Sequence, residues 1–356
     1  MLEFVIPKDQ QWARNGPALR TRPMTMRGPL KLTLDELVDA AITVGTPNAI
    51  ALFNNPQGRW ETVRRVASVH SRLDLVKAPL GVPSEALGMA DGSERGYASY
   101  ELGMALTLAV ARHRFGVADL AHYDAAYRDA NKVGPSTTRP DLIDPITMAF
   151  VAEAKGSMGK TQAEQMTSAV SQLMAVMGKD VRQRTPVASG AAVCPGFQMA
   201  GGKRPKRLSV HIQAVGARTR TRAVSRQQRL AAARALSGET LLSTYGLTSI
   251  WLSQAAAGYL ETGEQSYVVA RDPVTHTWIG LDSQVHNNVR VALREVGYPA
   301  PSISMAARDL PDQLREMVGG PLLVWSPHGS TSDERCAFRR ASQELPFGPA
   351  TPVSGC

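Results

Sequence analysis

Apolar and polar positions alternate with a helical period over much of the first third of the chain. Thr33-Leu-Asp-Glu-Leu-Val predicts a helix start, with a capping threonine and early acids that suit the positive helix N-terminus. Helical patterns recur to about residue 75, after a Pro- and Arg-rich stretch over 1–30 that predicts an irregular arm. The Gly/Pro/Ser-rich segment 79–96 predicts a loop. Leu102, Leu106, Ala109 and Val110 fall on one stripe and predict an amphipathic helix over 98–115. A shorter helix is predicted over 118–131, ended by the turn signal Val133-Gly-Pro-Ser-Thr-Thr.

The period then shortens. Residues 139–155 predict a β-hairpin: a short strand at Asp141-Leu-Ile, a turn at Asp144-Pro145, and a second strand over 148–155. Gly156-Ser-Met-Gly breaks it, and a helix over 161–177 follows. Strands are predicted over 187–193 and 208–215, helices over 222–236 and 241–260, a hairpin over 267–282 around Asp272-Pro273, and a late strand at Leu322-Leu-Val-Trp. This is an α/β chain, with four predicted regions. They are 1–90, helical and irregular; 91–216, a core; 217–342, α+β; and 343–356, a Pro/Gly/Ser-rich disordered tail.

Apolar residues make up 43% of the 356, enough for a sizeable core without disulfide staples. The longest uncharged apolar-rich run, 102–111, is half of what a membrane span needs, and the N-terminus lacks a long apolar signal segment. Three scattered cysteines (Cys194, Cys336, Cys356) suit a reducing compartment. A cytoplasmic protein with no membrane partner is therefore expected. Net charge is +9, and its placement is informative: residues 181–238 hold twelve Lys/Arg and no acid. Such a block is the electrostatic footprint of a nucleic-acid partner. Its candidate contacts are Lys203, Arg204, Lys206, Arg207, Arg218, Arg220, Arg222 and Arg226, three of them alternating so that an extended chain would present them on one face.

The chemistry concentrates at Arg139-Pro140-Asp141-Leu-Ile and Ala152-Glu153-Ala154-Lys155-Gly156. On a strand, Val151, Glu153 and Lys155 share one face, and Phe150, Ala152 and Ala154 the other, which can pack on a helix. A hairpin brings Asp141 beside Glu153. Two close carboxylates repel, and a hard divalent cation such as Mg2+ resolves that, with Mn2+ as an alternative. A neighbouring lysine can orient water or offset charge on a phosphate.

The segment resembles the motif of the PD-(D/E)xK restriction-endonuclease-like nucleases, over about residues 98–216. The resemblance implies a mixed sheet flanked by helices and a metal-dependent endonuclease acting on DNA, with RNA an open alternative. It also implies a bacterial restriction or defence role, and a homodimer or a partner subunit. It implies that Asp141 and Glu153 ligate the metal, with the Ala154 carbonyl as a third ligand, and that Lys155 is catalytic. A further helical acid is expected, Glu101 first and Asp124 second. Glu153-Ala-Lys155 is the one Asp/Glu-x-Lys match in the chain, where about one is expected by chance, so the motif gains weight only from its ordered Pro140-Asp141 partner.

A rival motif overlaps it. Residues 154–161, Ala-Lys-Gly-Ser-Met-Gly-Lys-Thr, fit a relaxed phosphate-binding P-loop resembling that of ParA-type NTPases, with Asp272 or Asp282 available to imitate the magnesium-binding strand. An acid inside the preceding strand and the missing apolar strand after residue 181 count against it. A binding protein that keeps the fold without cleavage is the other alternative. Gln162, Gln165 and Gln172 read as a polar helix face, the seven histidines as scattered, and Cys194 as a buried inert thiol.

Overall fold

The computed structural model describes residues 2–4, 24–25, 30–46, 60–74, 82–83, 87, 90–129, 139–156, 162–178, 186–200, 204–216, 223–255, 257–298, 310 and 312–326. Within the arm over 1–30, the described parts are strands: β1 (Leu2–Phe4) pairs with β3 (Leu30–Leu32), and β2 (Met24–Thr25) joins a larger sheet. Thr33 caps α1 (Leu34–Thr43) with a complete capping box: its hydroxyl accepts from the Glu36 N–H at 3.0 Å, and Glu36 accepts from the Thr33 N–H at 2.7 Å. Helix α2 (Glu61–Arg72) follows, then the two-residue pair β4 (Leu73–Asp74) and β5 (Val82–Pro83).

The loop expected over 79–96 ends early. Asp91 accepts from the N–H groups of Ser93 and Glu94, and so starts α3 at Gly92 (Gly92–Val110); a π-helical turn extends it over Ala111–Phe115. This helix is not amphipathic along its length. From Leu102 to Ala111 every residue is buried, and only its first turns, at Tyr97 and Tyr100, reach solvent. The helix expected over 118–131 is shorter, because Ala121–His122 forms strand β6 before α4 (Tyr123–Asp129).

The hairpin forms as β7 (Leu142–Ile143) and β8 (Phe150–Ala154). Its turn is closed by Asp144, which accepts from the Ile146 N–H and the Thr147 hydroxyl. Helix α5 (Gln162–Val176) then crosses over to β9 (Ser189–Ala200), which lies parallel to β8, and β10 (Arg204–Gly216) returns antiparallel. The sheet order is β2-β10-β9-β8-β7-β6. One face packs on α5 through Val151, Ala192, Leu173 and Val170. The other packs on α3 through Phe150, Ala152, Ala154 and Val193. Thus a mixed sheet is flanked by helices.

Beyond it lie α6 (Arg226–Arg234) and a continuous run of α7 (Gly238–Leu241), a π-helical turn and α8 (Leu247–Gln254). The helix expected over 241–260 stops there. Gly258–Thr262 is β11, with Leu260 buried between exposed Tyr259 and Glu261, a period of two; Gly263 at φ 58° turns it into β12 (Gln265–Arg271). Strands β13 (Trp278–Asp282) and β14 (Leu322–Trp325) complete a four-stranded antiparallel sheet, covered by α9 (Ser283–Glu295) and α10 (Gln313–Glu316). Val268, Ala270, Ile279, Leu281 and Val324 of this sheet join the same apolar cluster as α1 and α3. Among the described residues no helix is long and apolar enough to cross a membrane.

A buried ionic knot links the parts. Asp39 of α1 accepts from Arg112 at 3.1 Å and from Arg229 at 2.6 Å, and Arg112 also pairs with Asp119 at 2.6 Å, which in turn accepts from the Tyr245 hydroxyl at 2.5 Å. Burial would push the Asp39 carboxyl up, but the two guanidinium groups hold it below its ordinary value.

Candidate active site

The open end of the β7–β8 hairpin carries the chemistry. Asp141 immediately precedes β7, and its carbonyl accepts from the Tyr123 N–H at 2.9 Å, tying it to the start of α4. Its main-chain N–H donates to Glu153 Oε2 at 2.8 Å, and its Oδ2 accepts from the Ala154 N–H at 3.2 Å. Lys155 lies just past β8. Its N–H still pairs with the Val193 carbonyl at 2.9 Å, so the sheet aims its side chain back along the hairpin end, where Nζ pairs with Glu153 Oε1. Asp141, Glu153 and Lys155 therefore meet at one place.

The face on which Glu153 sits is less open than strand alternation suggests. Every residue of β8 is buried, Glu153 completely, because α5 covers that side. The Lys155 side chain keeps 20% exposure, so the cluster opens to solvent at the lysine. Burial and the neighbouring Asp141 charge raise Glu153 to about 8, against the opposing pull of Lys155. Burial also raises Asp141, opposed by Lys155 and the Ala154 N–H, with Asp124 adding a further push upward. Cys194 is a buried thiol raised to about 12, hence inert as a nucleophile.

Of the two helical acids, Glu101 does not join this group. Its carboxylate is held by Arg64 and Arg72, which α2 presents to that side of α3. Asp124 is the acid whose charge reaches Asp141, and it is itself ion-paired with Arg139, whose Nη2 donates to Oδ2 at 2.7 Å. Gln172 donates to the Arg139 carbonyl at 3.0 Å, so this member of the glutamine face fixes the segment leading into Asp141. Among the described residues no three His, Cys, Asp or Glu side chains stand together as a metal cage. The donor set nevertheless suits a hard divalent cation. It offers two neighbouring carboxylates, both raised chiefly by burial, and Mg2+ ordinarily takes one or two carboxylates and fills its shell with water and phosphate oxygens.

The basic block is partly consumed internally. Arg226 donates to the Glu316 carbonyl at 2.9 Å, Arg229 pairs with Asp39, and Arg234 pairs with Asp282 at 2.7 Å. Arg226 thus serves α6–α10 packing. Arg204, Lys206 and Arg207 lie on β10, where the backbone alone is described; Lys203, Arg218, Arg220 and Arg222 lie outside the described residues, as do Ser157–Lys160 of the P-loop-like segment and the tail over 343–356.

Arg64 and Arg72 of α2, and Tyr97 and Tyr100 of α3, belong to no motif in the sequence. Gly156 fits against α3 so closely that a Cβ there would stand 2.9 Å from the Tyr100 nitrogen and from Ser99, which sets the first turns of α3 beside the acid pair. Tyr97 and Tyr100, three apart and both about half exposed, had a legible i,i+3 spacing but no motif to attach it to. No protein-family model, curated protein or solved structure matches this chain.

Proposed function

We propose that this chain is a metal-dependent nuclease of the restriction-endonuclease-like kind, hydrolysing phosphodiester bonds of DNA. The observation that carries the reading is the convergence of Asp141, Glu153 and Lys155 through three hydrogen bonds at the open end of β7–β8. Asp141 and Glu153 would hold Mg2+ or Mn2+, which when bound acidifies water and offsets charge on a phosphate.

The chain's own groups do the remainder. The Ala154 N–H fixes the Asp141 carboxylate, and the Asp141 N–H fixes that of Glu153, so both acids are oriented before any ligand arrives. Lys155 shares Glu153 with that N–H and keeps 20% side-chain exposure, so its ammonium would orient an attacking water and face a scissile phosphate. Complete burial of Glu153 keeps bulk water off the inner side, where a charge interaction is stronger.

The test is cleavage of plasmid and oligonucleotide DNA and RNA with Mg2+, Mn2+ or Ca2+. Asp141→Ala and Lys155→Ala are each expected to reduce Mg2+-dependent cleavage at least about 100-fold while leaving binding largely intact. Salt-sensitive binding without cleavage under any divalent ion would reduce the protein to a binding module. Nucleotide hydrolysis abolished by Lys160→Ala would replace the nuclease reading with an NTPase.

A further inference from the structure

A cavity of about 200 Å3 lies between the end of α1, α2 and the first turns of α3. Tyr97, Tyr100, Arg64, Arg65, Glu61 and Glu101 line it. It is smaller than the usual drug-sized site and has room for a single flat ring system. Its wall is aromatic and charged, two arginines facing two glutamates. The Arg64 and Arg72 guanidinium carbons stand 5.4 and 5.6 Å from the Tyr97 ring centroid. Tyr97 is 50% exposed and Tyr100 43%, an unusual pair of aromatics to leave in water on a helix otherwise sunk in the core.

The arginines there differ in their freedom. Arg65 is spent on structure: it donates to the Ala41 and Val44 carbonyls and the Thr46 hydroxyl, closing the C-terminal end of α1. Arg64 is anchored by Glu61 and Glu101, yet its side chain keeps 39% exposure. It is oriented without being used up. The cavity also adjoins the proposed catalytic groups. Gly156, next to Lys155, abuts Ser99 and Tyr100.

We propose that this cavity receives an unstacked base of the nucleic-acid strand that passes the acid pair, the base lying against Tyr100 and Tyr97 and its phosphate facing Arg64. The inference rests on the nuclease reading for the identity of the strand. Flat aromatic rings beside cations are how proteins hold single-stranded nucleic acid, since every base has a π-face. A splayed base next to the scissile position also accounts for an aromatic pair at this end of α3, where Gly156 abuts Tyr100.

The experiment uses the full chain with Ca2+ in place of Mg2+ and a single-stranded oligonucleotide carrying one 2-aminopurine, moved base by base. A fluorescence change confined to one or two positions is expected. Tyr100→Leu and Tyr97→Leu should abolish it and weaken binding about tenfold or more, while Tyr100→Trp should preserve it. Arg64→Gln should weaken binding and lower its salt dependence. Variants that bind and cleave as the parent does would overturn the base pocket and leave the nuclease reading standing. A position-specific signal lost in the tyrosine variants, in a protein that never cleaves, would sustain the pocket and sink the hydrolytic reading. Absence of any 2-aminopurine response in the parent would overturn the pocket outright.

Discussion

The Asp141 main-chain N–H donates to the Glu153 carboxylate at 2.8 Å, while the Asp141 carboxylate accepts from the N–H of the residue after Glu153. Each acid is thus oriented by the other's strand. The pair is a product of hairpin register, with Leu142 opposite Ala152, and a slip of one residue would turn Glu153 to the opposite face of the sheet.

Glu153 is raised to about 8 from an ordinary 4.5, so the folded chain binds a proton there that the unfolded chain has already released. Between those values the folded state holds more protons, and stability must fall as pH rises. Glu153→Gln should flatten that fall and raise Tm at pH 8.5 by about 2 °C or more in EDTA, read by calorimetry, while losing cleavage. An unchanged slope in the variant would show that the acid pair does not set it.

The same raised acids link cation binding to pH. Deprotonation must accompany ligation, so the Mg2+-induced rise in Tm should grow from pH 6 to about 8 and level off beyond. Titration calorimetry in buffers of different ionisation heat should detect proton release on binding at pH 7. Equal Mg2+ stabilisation at pH 6 and pH 8.5 would contradict the assignment of both acids as ligands.

Asp39 pairs with two buried arginines, one of which it shares with Asp119. Asp39→Ala should therefore cost about 3–5 kcal/mol, seen as a lower urea midpoint, because Arg229 loses its acid and Arg112 keeps only Asp119. Adding Arg229→Met should restore part of the loss, since a flexible apolar chain takes the place of one stranded cation.

Gly156→Ala places a Cβ 2.9 Å from Ser99 and the Tyr100 nitrogen, where backbone must move. The strand end and Lys155 should shift from α3, lowering cleavage about tenfold or more with a smaller loss of stability. Gly92→Ala, whose Cβ meets nothing within 4 Å, is the control.

His286 is fully buried, with Nδ1 2.8 Å from the Ser249 hydroxyl, and burial depresses it to about 4. The unfolded chain takes up its proton near 6.5 and the folded chain does not, so stability should fall as pH drops from 6.5 towards 4. His286→Gln should weaken that acid-side loss in urea titrations.

Much of this was legible in residue order. The capping box at Thr33–Glu36, the Asp144 turn, the strands either side of it, the helix after Gly156 and the hairpin around Asp272 are all local signals, and the chain obeys them. What local pattern could not supply is depth. The stripe Leu102–Val110 reads as amphipathic because nothing local shows that α1, far earlier in the chain, covers the side turned away from the sheet. Glu153 reads as half exposed for the same reason, and only the packing of α5 closes it. Glu101 was an attractive ligand until Arg64 and Arg72, thirty or so positions earlier, claimed it. Nor does the acid-free stretch show where its arginines go, since Arg229 and Arg234 find their acids, Asp39 and Asp282, far outside it.

The apolar cluster common to α1, α3 and the inner face of β12–β14 bears on how the protein comes apart. Cutting the chain after β10 would strip Val324 and the rest of the second sheet from α1 and bare a greasy flank on each fragment. Heating should accordingly melt both sheets in a single cooperative step, and a protease that nicks between them should yield two halves that stay clasped until denaturant is added.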